Sequence, residues 1–133
     1  MTQANNHLAG RKILIVEDEL IIAWELQAIV ESLSGAVLGP VSSIAAALAL
    51  LRNTTPDAAL LDVNLHGVTV LPVAEECQRQ KIPFVVTTGY GRLPLDDPLL
   101  NGAVRVRKPF NQSDIAKALA TVIASARRCH SRS

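Results

Sequence analysis

The 133-residue sequence has almost no net charge, only two cysteines and no long apolar run. Thirteen Lys and Arg against twelve Asp and Glu leave a formal net charge of +1, so no field of one sign is there to hold a nucleic acid or an anionic membrane. Cys77 and Cys129 lie far apart and lack metal-ligand spacing, which argues against both a cysteine-built metal site and a disulfide scaffold. Reduced thiols in a cytoplasmic setting are expected. No stretch reaches the roughly 18 apolar residues of a membrane-spanning helix, and Met1 to Gly10 lacks the apolar core of a secretory signal. What is present is a chain 49% hydrophobic and 19% charged, long enough for one compact domain with a real core and short for two.

Short apolar runs alternate with longer helical patterns. Lys12 to Val16 reads as a buried strand, because Ile13-Leu14-Ile15-Val16 is apolar throughout and too short for a helix. From Glu19 to Leu33, Ile22, Leu26, Ile29 and Leu33 fall at helical spacing, and Gly35 follows the end. Ala36 to Val41 is a strand interrupted by Gly39-Pro40, and Ser42 or Ser43 caps a helix running to Arg52. Asp57 to Leu61 is the third strand, Val68 to Gln80 a helix that tolerates Pro72 in its first turn, and Ile82 to Thr87 the fourth strand. Gly89 to Gly102 holds two prolines and three glycines, which predicts a short or irregular fourth helix and the least order in the chain. Ala103 to Arg107 alternates Val104 and Val106 inward with Arg105 and Arg107 outward, as an edge strand does. Asn111 caps a last helix whose stripe is Ile115, Leu119, Val122, Ile123 and Ala126, with a frayed tail from Arg127. Strands and helices in this order predict an α/β fold: a five-stranded parallel sheet with helices on both faces.

The chemistry-bearing residues follow the strands. Glu17-Asp18-Glu19 comes after strand one, Asp62 after strand three, Thr87-Thr88-Gly89 at strand four and Lys108-Pro109 after strand five. In an open parallel sheet these ends meet at one edge, giving an acidic pocket with a cation beside it. Carboxylates held together resist ionisation unless a cation sits among them, and a hard divalent ion answers that need. Magnesium, or manganese in its place, takes oxygen ligands and keeps several waters, so Asp18 and Asp62 are expected as direct ligands and Glu17 as one reaching through water. Glu19 reads as a helix-start acid. Asp62 is also a candidate nucleophile toward a phosphoryl group, if metal and the Lys108 ammonium neutralise the charge on the phosphoryl oxygens. Strand alternation turns only one of Thr87 and Thr88 into the pocket.

Glu17-Asp18, Asp62 within Leu-Leu-Asp-Val-Asn-Leu, Thr88-Gly89 and Lys108-Pro109-Phe110 together resemble the receiver domain of two-component response regulators, over residues 11–127. The resemblance implies a flavodoxin-like (βα)5 fold and an aspartate that takes a phosphoryl group from a sensor histidine kinase or a histidine phosphotransfer protein. Asp62 matches the acceptor, Glu17 and Asp18 the metal-binding acids, and the backbone carbonyl of Asn64 the remaining protein ligand of Mg2+. Thr88 matches the switch hydroxyl and Lys108 the family's lysine. Such a protein phosphorylates and dephosphorylates itself and is not a turnover enzyme on a separate substrate.

Three departures stand out. Arg105 occupies the place, three before the lysine, where the family usually has an aromatic switch. His66-Gly67 replaces the usual Pro-Gly, and His66 is expected to be a loop residue. Thr88-Gly89-Tyr90 resembles an atypical receiver subgroup associated with histidine kinases of the HWE type, in which Tyr90 would share the role of the missing aromatic. Residues 1–10 and 128–133 are expected to be flexible termini, and with no output domain the protein is expected to signal through a downstream protein. The readout face would be Gly89 to Gly102 with strand five and the last helix, and the last two also offer a homodimer surface. Arg127, Arg128 and Arg132 read as solubilising charges and not as a nucleic-acid tail. The alternative is a pseudo-receiver, a protein-binding module that never carries phosphate. A small-substrate phosphatase is disfavoured because Asp62-Val63-Asn64 offers no second acid two residues on.

Overall fold

The computed structural model describes residues 7–89 and 97–131, with side chains as far as residue 126. Five strands, β1 (Lys12–Val16), β2 (Ala36–Val41), β3 (Ala58–Asp62), β6 (Phe84–Thr88) and β7 (Val104–Arg107), form one parallel sheet in the order β2-β1-β3-β6-β7. A two-stranded antiparallel hairpin, β4 (Asn64–Leu65) with β5 (Val68–Thr69), follows β3. The helices are α1 (Leu20–Ser32), α2 (Ile44–Asn53), α3 (Leu71–Arg79), α4 (Pro98–Asn101) and α5 (Gln112–Ser131).

The central strands are apolar on both faces because both faces are covered. Ile13, Ile15, Leu60 and Val85 pack with Leu26 and Val30 of α1 and Ile115 and Leu119 of α5. Leu14, Val16, Leu61 and Val86 point the other way, into a core closed by Leu51 of α2, Val73 and Cys77 of α3 and Leu100 of α4. The chain passes from β1 to β2 on one side and then to β3 on the other, so the switch of direction lies between β1 and β3. In such sheets the crevice beyond the carboxyl ends at that switch is where ligands sit.

Local signals account for the helix ends. Ser43, rather than Ser42, caps α2 by accepting the Ala46 N–H at 3.1 Å. Asn111 accepts the Asp114 N–H at 2.9 Å while Asp114 accepts that of Asn111 at 3.0 Å, a reciprocal cap. Pro72 lies in the first turn of α3, where its missing N–H costs no bond.

Several expectations are corrected. The third helix begins at Leu71, not Val68, because Val68 and Thr69 pair back on Asn64 and Leu65. The fourth sheet strand starts at Phe84, since the Ile82 N–H is drawn to the Cys77 carbonyl at 2.8 Å and Lys81 takes a left-handed φ of 62° to close α3. The third sheet strand is shifted by one residue, Asp57 instead accepting the Lys12 N–H at 2.7 Å. Residues 7–10 are not a loose lead-in: Leu8 is buried, its N–H bonds the Leu33 carbonyl at 2.8 Å, and its side chain packs on Gly35, where a Cβ would lie 3.0 Å from that of Leu8. The last helix continues past Arg127 to Ser131, because no proline or glycine interrupts it. Arg105 is half-buried rather than turned to solvent.

Candidate phosphoryl and metal site

Glu17, Asp18, Asp62 and Lys108 converge at the carboxyl edge of the sheet. Glu17 and Asp18 follow β1, and Asp62 ends β3 one strand away. Each of the three acids offers a carboxylate oxygen within 4.8 Å of the others. The Lys108 ammonium crosses from beyond β7 to lie 3.2 Å from Glu17 Oε1 and 3.5 Å from Asp62 Oδ2. The last strand can deliver it because the Lys108 N–H bonds the Thr88 carbonyl at 2.8 Å, carrying the β6–β7 ladder one residue further.

One cation among three acids leaves a deficit. Asp62 is buried, and burial is the main reason its carboxyl is pushed up to about 8; the neighbouring Glu17 and Asp18 add to this and Lys108 opposes it. Burial alone would lower the Lys108 ammonium, but the facing Asp62 and Glu17 charges outweigh that and raise it. Asp18 lies toward the rim. Burial would raise its carboxyl as well, yet hydrogen bonds, first among them the His66 N–H, hold it below the ordinary value. Glu17 Oε2 accepts the Glu19 N–H at 3.1 Å, while the fully buried Oε1 has no aligned hydrogen bond among the described residues despite the nearby lysine.

These observations test the pocket for a metal. A carboxyl pushed up by burial and by its acidic neighbours, and a buried carboxylate oxygen without an aligned donor among the described residues, are what a divalent cation would satisfy. The all-oxygen donor set suits Mg2+, which keeps part of its water shell. A cleft of about 520 Å³ opens beside Glu17 and Asp18, lined also by Leu20, Trp24 and Pro40.

The remaining predicted residues are placed less uniformly. The Asn64 N–H approaches Asp62 Oδ1 at 3.3 Å, which puts its backbone next to the acceptor carboxylate. Thr87 is the cross-strand neighbour of Asp62, and Thr88 is the last residue of β6; both hydroxyls are buried and without a hydrogen-bond partner among the described residues. Arg105 is not in the pocket. Its guanidinium donates to the Asn101 carbonyl at 3.0 Å and to Asn101 Oδ1 at 3.3 Å, tying β7 to the end of α4. Tyr90 and the segment through residue 96 lie outside the described residues.

Two features of the site escaped the sequence reading. The His66 N–H donates to Asp18 Oδ2 at 2.9 Å. The two-residue His66-Gly67 step between β4 and β5 was the available signal, since X-Gly is a hairpin turn sequence. Leu20, Ile21 and Trp24 are 61%, 77% and 59% exposed on the α1 turns beside the acids, off the stripe that packs inward.

The family model for the response regulator receiver domain matches residues 13–120. The chain belongs to the response regulator receiver domain family. Among solved structures it is similar to SdrG from Sphingomonas melonis Fr1, with 40% identity, a TM-score of 0.77, and coverage of 88% of this chain and 98% of SdrG. It is also similar to the receiver domain of the sensor histidine kinase PA1611 from Pseudomonas aeruginosa, which carries a magnesium ion in its active-site cleft. That likeness, at 24% identity, a TM-score of 0.74 and coverage of 87% and 99%, is one of fold. A curated relative, the positive alginate biosynthesis regulatory protein of Pseudomonas aeruginosa, is 33% identical over 111 residues, 80% of this chain. The chain spans less than half of that relative's length, 45%. Receiver domains are phosphoacceptor modules of two-component signalling that bind Mg2+ at an acidic pocket and work with histidine kinases or phosphotransfer proteins, and this receiver presents such a pocket. Among the described residues no helix is long and apolar enough to cross a membrane.

Proposed function

We propose that this receiver accepts a phosphoryl group on Asp62 from the phosphohistidine of a sensor kinase or phosphotransfer protein, and signals by binding another protein. The observation that carries this reading is the buried Asp62 carboxylate, with Lys108 Nζ at 3.5 Å and two further acids within 4.8 Å. Glu17, Asp18, Asp62 and the Asn64 carbonyl would hold Mg2+, whose charge, when bound, keeps Asp62 ionised and offsets that of the phosphoryl oxygens. An Asp62 oxygen attacks phosphorus, the P–N bond to the donor imidazole breaks, and the imidazole leaves with the bonding pair. Lys108 takes one phosphoryl oxygen as a compact cation, and the buried Thr88 hydroxyl, without a partner among the described residues, donates to another. Water later attacks the acyl phosphate and returns the carboxylate, so the protein turns over its own phosphoryl group and no separate substrate.

A phosphohistidine drawn ultimately from ATP supports a cytoplasmic setting. Leu20, Ile21 and Trp24, exposed beside the pocket, offer the donor an apolar landing surface. For the readout, the bond from Arg105 to Asn101 supports a face of α4, β7 and α5 that a downstream protein or a second copy would meet. The Thr88-Gly89-Tyr90 sequence, with arginine in place of the aromatic switch, supports assignment to the atypical subgroup paired with HWE-type kinases.

Incubation with acetyl phosphate and Mg2+ tests the reading by intact mass. The expected result is one added phosphoryl group on the wild type, none on Asp62→Asn, and none on either in EDTA. An unlabelled wild type that still binds Mg2+ would instead favour a pseudo-receiver.

A further inference from the structure

We propose that the His66-Gly67 turn is a positioning element for Asp18, acting through its backbone and not through the imidazole. The inference rests on the reading of Asp18 as a metal ligand. Asn64 pairs with Thr69 and Leu65 with Val68, so the loop between the strands is two residues long. His66 has φ 53° and Gly67 has φ 84°, the double left-handed signature of a type I′ turn. Its base is anchored. Leu65 and Val70 are buried, and the Val70 N–H bonds the Val63 carbonyl at 3.0 Å. Its tip is closed by the Gly67 N–H on Asn64 Oδ1 at 2.7 Å.

The turn therefore presents the His66 N–H in a fixed direction, and Asp18 Oδ2 accepts it at 2.9 Å across 48 residues of sequence. The imidazole is 71% exposed, and its Nδ1 lies 3.5 Å from the same oxygen, beyond good hydrogen-bond length. A histidine held at positive φ is in a conformation that L side chains resist, and such positions persist where the surrounding structure holds them. Here the hairpin and the Asp18 bond do so. Proline, with no N–H and a φ of about −65°, could not make this contact. The bond fixes one oxygen and hence the carboxylate plane, while the remaining lone pairs stay available to an ion. Asp18 follows β1 near the rim of the pocket, away from the packing that immobilises Glu17 and Asp62, so it is the acid with most freedom to lose on binding.

Mg2+ titration, followed by calorimetry and by Trp24 fluorescence, tests the inference on the whole chain. A Cβ on Gly67 meets nothing within 4 Å, so the first effect of Gly67→Val is backbone strain at its positive φ. Gly67→Val is expected to raise the Mg2+ Kd about three- to tenfold, as loss of one orienting hydrogen bond would. His66→Gly, which keeps the N–H and the positive φ, is expected to bind no more weakly than wild type. In EDTA, Gly67→Val is expected to lower the thermal midpoint by a few degrees through that strain, and His66→Gly to leave it close to wild type. Equal Mg2+ affinity in Gly67→Val, or a loss in His66→Gly as large as in Gly67→Val, overturns the proposal. A readout in metal-free protein decides the contact even if Gly67→Val does not fold. Exchange of the His66 amide should be slowed in the wild type and faster in Asp18→Ala, and equal rates would overturn the inference. A wild type that shows the slowed amide but binds no Mg2+ would instead sink the reading of the metal site.

Discussion

As the proposed phosphoacceptor, Asp62 would meet opposing demands: burial that keeps water from its acyl phosphate, and ionisation that makes it a nucleophile. Its environment favours burial, and the carboxyl titrates at about 8 in the absence of a metal. In the unfolded chain the same group titrates at about 3.9. Between those values the folded protein holds a proton that the unfolded chain releases, so Asp62 makes stability fall as pH rises from about 4 to about 8. Asp18, whose carboxyl is held low, acts oppositely: its contribution is present above the ordinary carboxylate range and is lost as pH falls toward its folded value. The two effects occupy different windows. In EDTA, the thermal midpoint of the wild type should drop between pH 5.5 and 8 by several degrees more than that of Asp62→Asn, and Mg2+ at pH 8 should recover it. Parallel curves for the two proteins would show that Asp62 does not carry this proton.

At the scale of elements, legibility followed how local each cause was. The central strands could be read because runs such as Ile13 to Val16 are short and apolar throughout, and helix stripes such as Leu26, Ile29 and Leu33 keep their period. Glu17, Asp18, Asp62 and Lys108 could be read as a cluster because each directly follows one of those runs. What escaped depended on contacts distant in sequence. Leu8 is one apolar residue among polar neighbours, and only the α1–β2 turn at Leu33 and Gly35 gives it a place. The start of α3 is the exception: β-branched Val68 and Thr69 favour a strand, and they pair back on the nearby Asn64 and Leu65. Nothing in the local pattern joined His66 to Asp18. The docking of Leu8 has a measurable consequence. Leu8→Ala should cost about 2–5 kcal/mol in denaturant unfolding, as a buried leucine does. A cost under about 0.5 kcal/mol for Leu8→Ala would mean that the segment does not pack in solution.

For the whole molecule, the parallel sheet explains why residues 91 positions apart, Glu17 and Lys108, meet within 3.2 Å. Every sheet strand runs the same way, so β1, β3, β6 and β7 each deliver one end to a common edge, and two layers of helices keep the interior dry beneath it. The same architecture connects the pocket to a distant surface: β7 carries Lys108 at its end and Arg105 in its body, and Arg105 holds α4 through Asn101. A charge arriving on Asp62 would meet the α4, β7 and α5 face through Lys108, which reaches across the intervening β6. All of this depends on Asp62 being the residue that is modified. The most direct measurement is peptide mapping of the protein after incubation with acetyl phosphate and Mg2+ and reductive trapping of the acyl phosphate with borohydride. Trapping is expected at Asp62, with Asp18 and Asp57 untouched. Trapping at another carboxylate, or at none in a protein shown to bind Mg2+, would contradict that role for Asp62.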